Sequence, residues 1–237
     1  MKSVADSAKP GLRDRKKARR RDEIIAAARE LFTVQGIDAT TMTEIASAAE
    51  VSAPTVFNYF GSKDGILIAM ISEGTREARE QDKDLHWREG VDLVTLIVEL
   101  FLRVSSRTLD VAGKRVWRYA EAAAIRHPET SLSQEYRNVS NALLVFLTEF
   151  LAELALETRA ARDCPPDFLA ELLIDRWMPC FIQLITSEEQ TLTQHRSVLQ
   201  AQFEPLITLI FTEACVALPR RRGKRQADKT ERIGHAR

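Results

Sequence analysis

The chain has 237 residues, enough for one large domain or two small ones around a packed core. Its 34 Lys and Arg balance 34 Asp and Glu, no apolar run approaches the ~20 residues of a membrane span, and the basic N-terminus lacks the apolar stretch of a secretory signal. Three scattered cysteines (Cys164, Cys180, Cys215), without a CxxC pair or a histidine at ligand spacing, argue against metal or redox chemistry; no cofactor is expected, no membrane partner, and the expected compartment is the cytoplasm.

The zero net charge conceals segregation. Residues 1–21 carry nine Lys or Arg against two Asp or Glu, and residues 219–237 carry eight against two, which leaves the middle acidic. The first stretch has no apolar periodicity and reads as a disordered basic arm, suited to neutralising phosphates or entering a minor groove. From about Arg21 to Gln35, Ile24, Ile25, Ala28, Leu31 and Phe32 recur at helical spacing, and Gly36 closes that helix.

The stretch from Thr40 to Lys63 reads as two short helices joined by a tight turn. Thr40 or Thr41 can cap the first, whose apolar face is Ile45, Ala46 and Ala49. Val51 plugs the turn, Ser52 can cap the second helix, and Pro54 suits its first turn. Val56 and Phe60 lie four apart and can face the core, which leaves Ala53, Thr55, Asn58 and Tyr59 to project outward. A helix–turn–helix whose second helix enters the major groove needs this division.

Over about residues 22–68 the chain resembles the DNA-binding domain of the TetR family of bacterial transcriptional regulators. The resemblance is carried by IIAAARELFTVQGIDATT and IASAAEVSAPTVFNYFGSKDGIL: Leu31-Phe32, Gly36, the threonine pair, Ala46, Val51-Ser52, Thr55, Tyr59-Phe60 and Lys63. It implies phosphate contacts from Thr41, Ser52, Tyr59 and Lys63, and base-edge contacts from Met42, Ala53, Pro54, Thr55 and Asn58; Met42 can make only apolar contacts, so Thr43 is expected to share the work there. The chemistry suits parts of this: Asn58 can read adenine bidentately, and Thr55 and Ala53 can meet a thymine methyl. Two positions depart from the family pattern. Glu50 stands where the turn often has Gly, and a left-handed backbone there would cost it about 1–2 kcal/mol. Phe57 stands where Tyr is frequent, and it has no hydroxyl to offer a phosphate.

Lys63 opens a helix to about Arg79, anchored by Ile66, Leu67, Met70 and Ile71, and residues 80–90, including Trp87, read as a polar loop. Beyond Val91 the spacing predicts helices at about 91–110, 112–126, 130–159, 166–187 and 191–217, broken at Gly113, His127-Pro128, Cys164-Pro165-Pro166 and the polar run near 187–191. Pro179 and Pro205 fall inside the last two and are expected to bend them. The expected fold is therefore all-α: a three-helix helix–turn–helix head over 22–68, a helical-bundle body for ligand binding and dimerisation over 69–218, and a basic disordered tail over 219–237.

The resemblance implies a pocket for a small apolar or amphipathic effector within that body. Candidate lining residues are Phe101, Val104, Trp117, Tyr119, Phe146 and Phe150. It also implies pairing of the last two helices between copies, with Trp177, Phe181, Phe203, Leu206 and Ile210 as candidates for a homodimer interface. The function expected is a ligand-responsive homodimeric repressor on an inverted repeat of double-stranded DNA. An architectural DNA binder without an effector is the alternative. A helical enzyme or binding module is a further one, although no nucleophile–base pair, carboxylate constellation or metal cluster stands in the sequence.

Overall fold

The computed structural model describes residues 11–81, 90–162 and 164–222. Most of the expected 80–90 loop with His86 and Trp87, the first ten residues of the basic arm, and the tail beyond 222 with His235 lie outside the described residues. The elements are α1 (Leu12–Val34), α2 (Met42–Ala48), α3 (Ala53–Phe60), α4 (Lys63–Gln81), α5 (Leu93–Val111), α6 (Lys114–Arg126), α7 (Ser131–Ala152), β1 (Leu154–Ala155), α8 (Pro166–Thr186), α9 (Leu192–Ile210), α10 (Glu213–Ala217) and β2 (Arg220–Arg221). The all-α expectation holds, with one small antiparallel ladder added.

The head forms around the stripe expected on α1. Ile24, Ala28 and Phe32 are fully buried and meet Ile45 and Ala46 of α2, Val56 of α3, and Ile66, Leu67 and Met70 of α4. Gln35 caps α1, and Gly36 follows at φ 87°, where the missing Cβ permits a left-handed residue. Gly65 is required for packing: a Cβ there would collide with the carbonyl oxygen of Phe60. That absence lets α4 start directly beneath the end of α3.

In the body, α5 packs on α9, α7 packs on α6 and α8, and α4 reaches α5 and α7. Phe101 stacks on Trp177 at 5.7 Å and on Phe203 at 5.0 Å, and Trp177 stacks on Phe181 at 4.9 Å. This aromatic run joins α5, α8 and α9 into one core.

Four sequence expectations are corrected here. Helix α1 begins at Leu12, nine residues before the expected start, because Ala, Arg and Lys favour helix and Arg19 and Arg20 both pair with Glu23 at 3.3 Å. The helix expected over 130–159 stops at Ala152. The next residues run extended, Leu154 pairing with Arg221 and Ala155 with Arg220. The helix expected to reach 217 breaks after Ile210, since Phe211 is extended and Thr212 caps α10. The first residues of the tail form β2, and the Arg222 N–H donates to the Glu153 carbonyl at 2.7 Å. Apolar periodicity cannot foresee such a clasp, because both partners are short and distant in sequence. Pro179 and Pro205 lie on exposed faces inside continuous helices, so the carbonyls they leave without a donor lie on the solvent side.

Candidate nucleic-acid interface

The turn between α2 and α3 is built from backbone bonds. Val51 N–H donates to Ala46 O at 2.9 Å and Glu50 N–H to Ser47 O at 3.2 Å, the paired bonds that close a helix on a left-handed residue. That residue is Glu50, at φ 54°, with its side chain exposed. The turn keeps the geometry that glycine would favour and places a carboxylate on it.

Upstream, Thr41 caps α2 in a reciprocal box. Its Oγ1 accepts from Glu44 N–H at 3.2 Å, and Glu44 Oε2 accepts from Thr41 N–H at 2.7 Å and from the Thr41 hydroxyl at 2.9 Å. The backbone bond from Thr41, with the hydroxyl bond beside it, holds the Glu44 carboxyl below its usual range. Thr40 is the buried member of the threonine pair and donates to Gly36 O at 2.6 Å.

Ser52 occupies the cap position of α3 but does not cap it, contrary to the sequence reading. The Thr55 N–H is taken by the Ser52 carbonyl at 2.9 Å, and Pro54 has no N–H, so the Ser52 hydroxyl turns to Thr55 Oγ1 at 2.8 Å. Along α3, Val56 is buried, Ala53, Thr55, Tyr59 and Phe60 are half-buried, and Pro54 and Asn58 are exposed. Ala53 and Tyr59 thus pack partly on the core beside Val56. Phe57 is 50% exposed, an apolar ring on the outer face of α3. On α2, Thr43 is exposed and Met42 half-buried against the core.

Lys63 is engaged. Its ammonium donates to Ile37 O at 2.7 Å and Asp38 O at 3.4 Å, bracing the first turn of α4 against the loop that follows α1. Its third N–H is used by neither bond. Arg21 braces the same side: it pairs with Glu73 and lies 5.5 Å over the Phe60 ring.

The six candidate pocket residues divide between core and half-buried positions. Phe101 and Trp117 are buried core, with the Trp117 indole donating to Thr108 O at 2.6 Å; Val104, Tyr119, Phe146 and Phe150 are half-buried. None of the six lines either of two surface clefts, one of about 370 Å³ edged by Arg159, Arg162, Phe168 and Leu209, the other of about 210 Å³ edged by Thr33, Lys114, Arg115 and Glu188. Trp177, Phe181 and Phe203 are corrected as interface candidates, because they are at most 4% exposed within the protomer and have no surface left for a partner. Leu206 and Ile210 are half-exposed. Two exposed apolar side chains absent from that set are Phe168 and Leu209, 58% and 75% accessible.

Sequence reasoning also misses a buried polar chain. The Trp177 indole N–H donates to Ser105 Oγ at 3.0 Å, and Ser105 Oγ lies 2.9 Å from His195 Nε2, all three side chains being enclosed. Burial, with the charge of Lys114 behind it, brings the His195 imidazole down to about 4.

Comparison with known proteins agrees with this architecture. Residues 24–70 match the family model of bacterial regulatory proteins, tetR family. The chain is 48% identical over 63 residues to the HTH-type transcriptional regulator TcmR of Streptomyces glaucescens, a match over 27% of this chain and 28% of that protein. It is 30% identical over 148 residues to the HTH-type transcriptional regulator BetI of Rhizobium meliloti, over 62% of this chain and 68% of that one. A transcriptional regulator of Saccharomonospora viridis, solved in complex with choline, has the same fold: TM-score 0.60, 18% identity, 83% of this chain and all of that one. With a left-handed turn between α2 and α3, an outward α3 face and a BetI-like stretch reaching well beyond the head, the chain belongs to the TetR family of bacterial transcriptional regulators.

Proposed function

We propose that the protein is a homodimeric repressor that binds an inverted repeat in duplex DNA and releases it on binding a small molecule. The observation that carries this reading is the outer surface of the head. Thr43, Pro54, Phe57 and Asn58 are exposed together on two helices whose inner faces are fully committed to the core. Asn58 reads adenine, Thr55, Ala53 and Phe57 meet thymine methyls, and Ser52, Tyr59 and the remaining donor of Lys63 hold phosphates. Thr41 takes a phosphate only by breaking its bond to Glu44, so its contribution is the smallest of the set.

Two heads in one duplex must sit about 34–36 Å apart, one helical turn. Dimerisation through the exposed faces of α8 and α9, with Phe168, Leu206, Leu209 and Ile210 at the contact, would set that spacing. The choline held by the Saccharomonospora viridis neighbour supports a small-molecule effector for this body too. An effector acts by its difference in affinity between head spacings that fit DNA and those that do not.

The test is Asn58→Ala. Specific binding should fall by about 1–3 kcal/mol while binding to random duplex is retained. Equal loss on both duplexes would remove Asn58 from base readout.

A further inference from the structure

The first eight residues of α1 stand clear of the core. From Leu12 to Arg19 every side chain is exposed, and the first buried residue is Ile24. Seven of the residues from Leu12 to Arg21 are Lys or Arg and one is Asp. The direction of that charge is set by the register of the helix. Ile24, Ile25 and Ala28 define the face of α1 that lies on the head, and steps of three and four back along it reach Arg21, Arg20, Lys17 and Arg13. The core-facing stripe therefore continues past the edge of the head as a stripe of cations.

Arg21 marks that edge, seated over Phe60, the last residue of α3, and paired with Glu73. Arg20 is paired with Glu23. Arg13 and Lys17 have no ion pair or hydrogen bond among the described residues, and Lys17 and Arg13 lie about 6 and 12 Å beyond Arg21 along the axis. We infer that this overhang is a second DNA-binding element: Arg13 and Lys17 neutralise backbone phosphates flanking the base pairs that α3 reads. The inference rests on the DNA-binding reading of the head and adds a partner for a surface the helix–turn–helix does not use. Phosphate is the chemistry that fits, because the stripe offers positive charge with no apolar residue between Arg13 and Arg21 other than Ala18. A helical overhang also holds its cations at fixed spacing, with less ordering entropy lost on binding than a flexible arm.

The test measures the salt dependence of binding of the full-length protein to a random-sequence duplex across a KCl series. The R13A/K17A variant should flatten the slope of log K against log salt by about 1.8 per protomer, about 0.9 for each phosphate no longer neutralised. A control, R220A/R222A, removes two exposed cations at and beside β2 and should leave the slope unchanged. Circular dichroism reports whether the variant keeps its helix. An R13A/K17A slope equal to that of the unsubstituted protein, or an equal drop in the control, overturns the overhang as a specific element. If the unsubstituted protein binds no duplex even at low salt, the reading of the head fails with it.

Discussion

Arg115 donates to the carbonyl of Val34 at 2.7 Å, placing a guanidinium of the body on the last carbonyl-bearing turn of α1. The same turn of α6 grips the α8–α9 connection. Lys114 donates to Ser187 O and Gln190 O, each at 2.7 Å, and Arg118 pairs with Glu188 at 2.9 Å and reaches Ile185 O at 3.3 Å. Arg115 itself stands 3.9 Å from Glu188. One helical turn thus ties the end of a head helix to the connection between the two helices proposed for dimerisation.

This tie predicts that Arg115→Ala lowers stability by about 1 kcal/mol, the worth of a charge-assisted bond at a partly exposed helix end. It should also weaken any effect of an added effector on DNA binding. Urea unfolding reads the first, and DNA titration with and without effector reads the second. An unchanged effector response would show that the Arg115–Val34 bond does not carry it.

Glu50 gives a prediction of the opposite sign. It holds φ 54° with an exposed side chain, so Glu50→Gly relieves steric strain and should stabilise the protein by about 0.5–1 kcal/mol after the added chain entropy of glycine. Equilibrium unfolding checks it, and a loss of stability would show that the Glu50 side chain makes a compensating contact.

Lys63→Ala should weaken binding to every duplex and also destabilise the head by about 1–2 kcal/mol, because the ammonium is bonded to Ile37 O and Asp38 O. Measuring affinity and melting on the same variant separates the two. A purely electrostatic lysine would lose affinity with no change in melting.

Phe203 and Leu209 sit on the same helix and predict opposite outcomes. Phe203→Ala empties a fully buried site and should cost about 3–5 kcal/mol of folding stability. Leu209→Glu touches no core and should leave unfolding near its original value while weakening self-association. Sedimentation equilibrium beside denaturant titration distinguishes them, and a stable dimer of Leu209→Glu would move the interface elsewhere.

His195 fixes a pH dependence. Its folded value, about 4, lies below the ordinary 6.5, so the unfolded chain takes up a proton that the folded chain refuses. The stability it contributes is complete above pH 6.5 and is lost as the pH falls toward 4, about 1 kcal/mol of it by pH 5.5. Glu44 and Glu188, held low by bonds from Thr41 and Arg118, act further down, as the pH falls through the carboxylate range. His195→Gln should therefore flatten the stability profile between pH 6.5 and 5.5, and an unaltered slope there would assign the effect to another group.

The head is legible in the sequence because its signals are local: cap residues, a glycine after α1, and apolar positions at three and four. The same periodicity marks the body helices but cannot say which apolar side meets the protomer and which a partner. Trp177, Phe181 and Phe203 read as interface for that reason, although Phe101 on α5 stacks on Trp177 and Phe203, and Phe181 stacks on Trp177, all within the protomer. The engagements of Lys63 and Arg115 are beyond reach for a related reason. Their carbonyl acceptors, on Ile37 and Val34, are backbone groups that leave no mark on residue type.

The most direct measurement is selection from a pool of random duplex DNA by the purified protein at near-physiological salt. A homodimeric, sequence-specific regulator should recover one inverted repeat whose half-sites lie about one helical turn apart. Salt-sensitive binding that yields no motif, or no binding at all, would contradict it.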